Sequence, residues 1–181
     1  MAGHASFKVA WNKLDPSKIL MSSSNNHVFL LEIDSPGSCK SLEVKTNYPH
    51  HDSVFGVAWS PANPSQFLTG CKDGKMRLYD VITGNANPIK TFMGHLSRIY
   101  NVLYNPLLPH IAASGSDDCS IMIWDISAEN SSEPIQILGG VGKSNSHSNN
   151  VRALEFMPEI SWCLMTGSWD ALIKLWDIRS G

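Results

Sequence analysis

Three copies of one set of side chains are the residues of this chain that could most readily do chemistry. Each copy has a His, then a Ser or Thr, then an Asp, at matching offsets: His50, Thr69 and Asp73; His95, Ser114 and Asp118; His147, Thr166 and Asp170. Ser, His and Asp together are the groups of a nucleophilic hydrolase. Such an enzyme has one activated nucleophile beside an oxyanion hole, so three copies at a fixed repeat offset indicate a structural device. We therefore predict no catalytic residues and no enzyme.

Two further stretches imitate chemical sites. Residues 139–144, GGVGKS, resemble the end of a phosphate-binding loop, but that motif needs a Gly where Ile137 stands and a helix after it. A strand pattern follows instead. His50, His51 and Asp52 could form a metal cluster, but the repeat already uses His50. We predict no nucleotide site, no metal and no cofactor.

Composition narrows the class of protein. The 181 residues suffice for one domain, and the net charge of -2 provides no basic face for nucleic acid. Cys39, Cys71, Cys119 and Cys163 lack the paired spacing of a zinc or redox site, so free thiols in a reducing compartment are expected. No apolar run is long enough to span a membrane, and residues 1–10 lack a signal-peptide core. We expect a cytoplasmic or nuclear protein that binds neither nucleic acid nor a membrane.

The candidate groups lie between short strand patterns that recur about every 45 residues. Each unit opens with an alternating or apolar run followed by a Pro or Asn turn, and these runs are 6–11, 54–59, 99–104 and 151–156. A second run ends near a Ser or Thr, and a tight turn with Asp or Asn leads to a third. Weaker fourth runs are 42–46, 88–93 and 134–138. No stretch keeps helical periodicity for about ten residues. An all-β fold with four antiparallel strands per unit is predicted.

The third runs and the turns before them carry a family resemblance. Residues 69–80 (TGCKDGKMRLYD), 114–125 (SGSDDCSIMIWD) and 166–177 (TGSWDALIKLWD) share a hydroxyl residue, an Asp four positions later and a final aromatic-acid pair. On these residues the chain resembles the WD-repeat β-propeller family over its whole length, most weakly in the first unit. The resemblance implies a partial ring of blades at about 5–46, 50–93, 95–138 and 147–181, with an inserted loop at 139–146 and no outer strand in the last blade.

The resemblance also implies a structural tetrad in each blade. A His should bond the turn Asp, which also faces the hydroxyl residue, and the hydroxyl oxygen should meet the indole N–H of a Trp. The sets are His95, Ser114, Asp118 and Trp124; His147, Thr166, Asp170 and Trp176; and His50, Thr69, Asp73 and Tyr79, in which a phenol replaces the indole. Ala2, Met21, Asn25 and Leu31 occupy these places in the first unit, which is expected to lack the tetrad.

The family's usual contact positions predict a partner-binding face around the channel mouth. The strongest candidates are Arg98, Tyr100, Arg152 and Trp169, joined by Asp117, Lys72, Phe55, Phe7, Ser53 and Asn150. Aromatic and Arg residues predominate, which suits a protein or peptide contact. Phe7 and Phe55 could instead pack between neighbouring blades. Asp117 is expected to be exposed.

These patterns predict a non-catalytic protein–protein interaction scaffold that presents peptide or protein contacts on its loop-rich face. An alternative follows from residues 176–179. They resemble the Trp-Asp-any-Arg box by which some WD-repeat proteins dock on the adaptor of a cullin-RING ubiquitin ligase as substrate receptors, with Arg179 as the contact residue. A third hypothesis, a catalytic or nucleotide-using protein, has only GGVGKS in its support.

Four blades leave two apolar blade faces uncovered, since rings of this family usually have about seven or eight. Three outcomes are open: a piece of a longer propeller protein, a closed four-bladed ring, or a homodimer that completes an eight-bladed ring. We favour the piece of a longer chain.

Overall fold

The computed structural model describes residues 4–34 and 41–180, which are almost all in strands and turns. Ala2 and Cys39 lie outside the described residues. The strands are β1 (Ser6–Trp11), β2 (Lys18–Ser23), β3 (His27–Ile33), β4 (Leu42–Pro49), β5 (Val54–Trp59), β6 (Gln66–Cys71), β7 (Lys75–Asp80), β8 (Lys90–Met93), β9 (Ile99–Tyr104), β10 (Ile111–Ser116), β11 (Ser120–Asp125), β12 (Gln136–Gly139), β13 (Val151–Phe156), β14 (Cys163–Ser168) and β15 (Ile173–Asp177). One 3-10 turn, Val81–Thr83, follows β7. Within the described ranges, no helix is long and apolar enough to cross a membrane.

The strands pair in chain order into four antiparallel sheets, which confirms the predicted fold class. Sheet 1 is β1–β4, sheet 2 is β5–β8, sheet 3 is β9–β12, and sheet 4 is β13–β15. The first strand of every unit begins and ends where the sequence predicts it. The outer strands fit less well, because β8 and β12 begin two residues late, after Pro88 and Pro134. Proline has no N–H to donate to a strand ladder.

Consecutive sheets pack face to face through the same positions each time. Leu68, Met76 and Leu78 of sheet 2 are buried against sheet 3, whose Tyr104 and Trp124 cover them. We call the face that contacts the following sheet the back face, and the opposite one the front face. The equivalent back-face residues of the neighbouring sheets are buried in the same way, and they are Leu20, Val28 and Leu30 in sheet 1 and Ala113, Ile121 and Ile123 in sheet 3.

The same positions are exposed on the back of sheet 4. Met165, Ile173 and Leu175 are 47%, 76% and 68% exposed. The front face of sheet 1 is also open, at Val9 and Trp11. The row of four sheets therefore has an uncovered apolar face at each end.

The repeat provides a matched test of the sheet junctions. Ile121 is fully buried between sheets 3 and 4, and Ile173, its equivalent in sheet 4, is exposed. We expect Ile121→Ala to lower the free energy of unfolding by about 2–4 kcal/mol, because it removes buried methylene groups and leaves a cavity. Ile173→Ala should change it by less than about 0.5 kcal/mol. Chemical denaturation measures both, and equal losses would show that the back of sheet 4 is covered in solution.

Candidate partner-binding site

Four side chains of sheet 3 form one hydrogen-bonded network beneath the turn between β10 and β11. Nδ1 of His95 lies 2.9 Å from Oδ2 of Asp118, and its Nε2 lies 2.7 Å from Oγ of Ser114. The indole N–H of Trp124 donates to the same Oγ at 2.8 Å. The imidazole therefore separates Asp118 from Ser114, which corrects the implied contact between carboxylate and hydroxyl. Burial is the largest single influence on the pKa of Asp118 and raises it, but the interactions with His95, the Ser120 hydroxyl and the N–H of Leu96 together outweigh burial and keep that pKa far below its usual range.

Sheet 4 repeats this network with nearly the same geometry. Nδ1 of His147 lies 2.8 Å from Oδ2 of Asp170, and its Nε2 lies 2.8 Å from Oγ1 of Thr166. The indole of Trp176 donates to that Oγ1 at 2.8 Å. Ser114 and Thr166 are both buried, and each hydroxyl is already engaged by an indole and an imidazole. Two matching, buried networks support a structural role for these groups.

Sheet 2 departs from the pattern, and the predicted bond between His50 and Asp73 is wrong. Both oxygens of Asp73 are hydrogen-bonded to the guanidinium of Arg77. Arg77 is buried in β7, where the equivalent residue of sheet 3 is Met122. A buried guanidinium needs a carboxylate to offset its desolvation, so Arg77 takes the group that would otherwise bond the His.

His50 is held by other partners. Its Nδ1 lies 3.0 Å from the carbonyl oxygen of Tyr48, and its Nε2 lies 2.9 Å from Oγ1 of Thr69. The hydroxyl of Tyr79 lies 3.3 Å from the same Nε2, so the phenol reaches the His and not the Thr. Burial lowers the pKa of His50 to about 4, so the ring is neutral at physiological pH.

The turn Asp residues also shape the backbone. In sheets 2, 3 and 4 the carboxylate accepts a hydrogen bond from the N–H two residues later, and the residue between is left-handed; the pairs are Asp73 and Lys75, Asp118 and Ser120, and Asp170 and Leu172. This local bond is the usual Asx turn. It places the residue before each Asp, namely Lys72, Asp117 or Trp169, in the turn at the end of its sheet.

A continuous row of side chains runs from sheet 1 to sheet 4. It is formed by the second residue of the first strand of each sheet, that is, of β1, β5, β9 and β13. The ring centroids of Phe7 and Phe55 are 4.4 Å apart, and those of Phe55 and Tyr100 are 4.6 Å apart. The guanidinium carbon of Arg152 lies 3.1 Å from the Tyr100 centroid and 4.0 Å from that of Trp169. We call these five side chains the inner stripe. Phe7 is 44% exposed and Trp169 is 65% exposed, so the stripe faces solvent.

Asp117 anchors the stripe from below. Its Oδ2 lies 3.1 Å from Nε of Arg98, and its Oδ1 lies 3.9 Å from a terminal nitrogen of Arg152. The Asp117 side chain is only 11% exposed, so the expectation of an exposed carboxylate is wrong. Arg98, just before β9, and Arg152, on β13, cover it. Burial raises the pKa of the Asp117 carboxyl, and the two arginines oppose that shift.

The other predicted contact residues lie outside the inner stripe. Lys72 forms an ion pair with Asp52 at 3.2 Å. The hydroxyl of Ser53 donates to a main-chain carbonyl of sheet 1, and the carbonyl of Asn150 accepts from the N–H of Trp169. These groups are engaged within the protein and do not line the cleft along the stripe.

Arg179 belongs to a different place on the surface. Its guanidinium makes two hydrogen bonds to the carboxylate of Asp177, at 2.9 and 2.6 Å. It also lies 4.3 Å above the ring of Trp162, in the loop that precedes β14. The structure therefore separates Arg179 from the inner stripe, although sequence analysis named both as contact candidates.

Two residues that line the cleft along the stripe, Lys8 and Asn101, are not among the predicted contact residues. Nζ of Lys8 donates to Oδ1 of Asn101 at 2.6 Å, which links sheet 1 to sheet 3. Gly56 occupies the equivalent position of sheet 2, and a Cβ there would lie 3.0 Å from the backbone of sheet 3. The cleft, with a volume of about 590 Å³, is lined by these side chains and the stripe. Burial lowers the pKa of Lys8, while the charge of Glu155 acts to raise it. No motif in the sequence marks Lys8.

The glycine-rich loop, the cysteines and the His-rich stretch show no arrangement typical of a nucleotide, redox or metal site in the described part of the chain. Residues 139–150 pass from β12 to β13 through turns, and Gly140 and Gly142 have positive φ. Cys71, Cys119 and Cys163 are free thiols. Across 4–34 and 41–180, no group of three or more His, Cys, Asp or Glu is arranged to hold a metal ion.

Four antiparallel sheets pack face to face in chain order, and two of them carry the same His–Asp network, which defines a segment of a β-propeller. The family model of the WD domain, G-beta repeat, matches residues 42–80, 86–125 and 140–177. The chain belongs to the WD-repeat family, as its sequence motifs predict. The matches at 42–80 and 86–125 each span the outer strand of one sheet and the first three strands of the next, so these two repeats interlock neighbouring sheets. The match at 140–177 spans β13–β15 of sheet 4.

Three curated relatives share parts of this chain. It is 29% identical over 77 residues to Peroxisome biogenesis protein 7 from Arabidopsis thaliana, covering 42% of this chain and 23% of the relative. It is 38% identical over 56 residues to the Peroxisomal targeting signal 2 receptor of Schizosaccharomyces pombe, covering 31% and 18%. It is 44% identical over 41 residues to Coronin-7 from Bos taurus, covering 23% and 4%. The chain therefore aligns with less than a quarter of each of these relatives.

The tetrad of sheet 3 predicts a stability effect. Asp118→Ala removes the partners of His95, Leu96 and Ser120 in a mostly buried place. We expect the free energy of unfolding to fall by about 2–4 kcal/mol, since buried donors lose a charged acceptor. The control is Asp125→Ala, whose carboxylate accepts local hydrogen bonds from the N–H and hydroxyl of Ser127 in a loop, so its loss should cost less than about 1 kcal/mol. Equal melting temperatures for wild type and Asp118→Ala would contradict a structural role for the tetrad of sheet 3.

The low pKa of His50 predicts that the free energy of unfolding falls in mild acid. Its pKa is about 4 in the folded protein and about 6.5 in the unfolded chain, so the unfolded chain binds the extra proton between these values. The free energy of unfolding should be fully present above pH 6.5 and fall by up to about 3 kcal/mol as the pH drops towards 4. His50→Gln should flatten that slope in denaturation curves, and His51→Gln, at an exposed position, should not. A slope unchanged by His50→Gln contradicts this assignment.

Proposed function

We propose that this protein is a non-catalytic interaction scaffold that holds a protein or peptide partner along the inner stripe. The single observation that supports this is the unbroken row of Phe7, Phe55, Tyr100, Arg152 and Trp169, whose neighbouring members lie within 5 Å of one another across four sheets. Tyr, Trp and Arg are the residue types most enriched at binding hot spots. The name of one relative, the Peroxisomal targeting signal 2 receptor, describes a receptor for a targeting signal, which is compatible with peptide recognition.

A rigid framework favours recognition without chemistry. Each Ser or Thr that could act as a nucleophile in the networks is buried and bonded to an indole or imidazole, so no substrate reaches it. The inner stripe, in contrast, is pre-arranged by stacking. A partner that lies on it need not order these side chains, which lowers the entropic cost of binding.

A second proposal concerns Arg179. The Trp-Asp-any-Arg sequence at 176–179 resembles the box used by substrate receptors of cullin-RING ubiquitin ligases, and the Arg179 side chain is 61% exposed. In the structure its guanidinium is paired with Asp177 and stacked on Trp162. A ligase adaptor would have to compete with Asp177 for this group, so we rank this function second.

The two proposals are separated by matched variants of the full-length protein. Tyr100→Ala with Arg152→Glu disrupts the inner stripe, and Trp162→Ala with Arg179→Glu makes the same kind of change at the other site. In affinity capture with quantitative mass spectrometry, we expect the first variant to lose at least about three quarters of the specifically captured partners' signal, because truncated hot spots cost about 2 kcal/mol or more. The second variant should retain it.

Retention of every partner by the first variant would place the binding site elsewhere. Loss of a ubiquitin-ligase adaptor from the second variant alone would support the second proposal. Melting temperatures within a few degrees of wild type show that both variants remain folded.

A further inference from the structure

The charged groups on and beside the inner stripe differ in how far they reach solvent. The Arg98 side chain is 45% exposed and that of Arg152 is 25% exposed, whereas Asp117, between them, is 11% exposed. Lys8 adds a third cation at the other end of the cleft, hydrogen-bonded to the neutral Asn101. A ligand that approaches the stripe therefore meets positive groups before it meets the Asp117 carboxylate.

The aromatic faces nearest to these cations are already occupied. Arg152 lies between Tyr100 and Trp169, in contact with both rings. An incoming Lys or Arg would have to displace Arg152 from both rings and would face its charge at short range. The stripe thus disfavours a cationic ligand, although Trp and Tyr rings alone would attract one.

At the sheet 1 end, the stripe itself consists of the uncharged rings of Phe7 and Phe55, and Lys8 lies beside them. Phe7 and Phe55 stack on each other and leave apolar surface facing the cleft, and Phe7 is 44% exposed. An aromatic or aliphatic side chain can lie on these rings and bury apolar area. The cleft of about 590 Å³ is large enough for two or three side chains of an extended peptide.

On the basis of the proposed function, we infer that the inner stripe recognises an acidic peptide segment in which carboxylates alternate with aromatic or large aliphatic side chains. The carboxylates pair with Arg98 and Lys8, and the apolar side chains lie on Phe7 and Phe55. The charge complementarity is local, because the chain as a whole has a net charge of -2. Three acidic groups limit this field: Asp117 pairs with Arg98 and Arg152, Glu155 acts on Lys8, and Asp52 pairs with Lys72.

Three labelled synthetic peptides test this inference with the full chain in fluorescence anisotropy. The first alternates Glu and Phe, the second has Lys for every Glu, and the third has Ala for every Phe. We expect the Glu–Phe peptide to bind about tenfold more tightly than either of the others, with an affinity that falls as salt rises. Arg98→Glu should weaken that binding about threefold to tenfold, since it reverses an exposed partner charge.

The control variant is Lys13→Glu. It makes the same charge change in the loop after β1, at the opposite end of that strand from Phe7, and should leave the affinity unchanged. If the Lys–Phe peptide binds as well as or better than the Glu–Phe peptide, the charge preference is wrong and the scaffold function stands. If no peptide binds, both the inference and the peptide-binding function are contradicted.

Discussion

The contact between the back face of one sheet and the front face of the next is the interaction on which every other feature depends. Each sheet has three or four short strands and two apolar faces, and a single repeat unit of this kind cannot bury its apolar faces without neighbours. The three junctions use equivalent residues, so one packing solution is repeated. Because the matched repeats at 42–80 and 86–125 each span parts of two sheets, the chain itself also ties neighbouring sheets together. Most of the stabilising burial therefore lies between sheets.

The hydrogen-bonded networks of sheets 2, 3 and 4 lie within these junctions. They lie on front faces that the preceding sheet covers, and a buried polar network is favourable only when every member has a partner. Sheets 3 and 4 satisfy that condition with a His, an Asp, a hydroxyl and an indole. Sheet 2 satisfies it with different bonds, because Arg77 takes Asp73 while Tyr48, Thr69 and Tyr79 take His50. The requirement is for full pairing, and the particular partners can change.

The parts that the sequence predicts well are those set by local pattern. The first strand of each sheet begins and ends as predicted, because alternating apolar residues end at a Pro or Asn turn in each unit. Contacts between side chains that are distant in the sequence are harder to predict. The burial of Asp117 depends on Arg98, which lies just before β9 in the same sheet, and on Arg152 of sheet 4, and the fixed offsets of the repeat indicate neither contact. Arg77 did carry a signal, since a lone charge in an apolar strand needs a partner, but offsets alone assigned Asp73 to His50.

The position of the inner stripe links recognition to the fold. The first strand of each sheet contributes the side chain at its second position, and these residues are Phe7, Phe55, Tyr100 and Arg152. Their contacts therefore exist only while the junctions hold the four strands in register. A partner lying along the stripe touches several sheets at once. Since it binds the assembled arrangement and not separated sheets, its binding free energy adds to the stability of the junctions. The same coupling means that a change buried in a junction can weaken binding without touching the stripe, by moving Arg152 away from Tyr100.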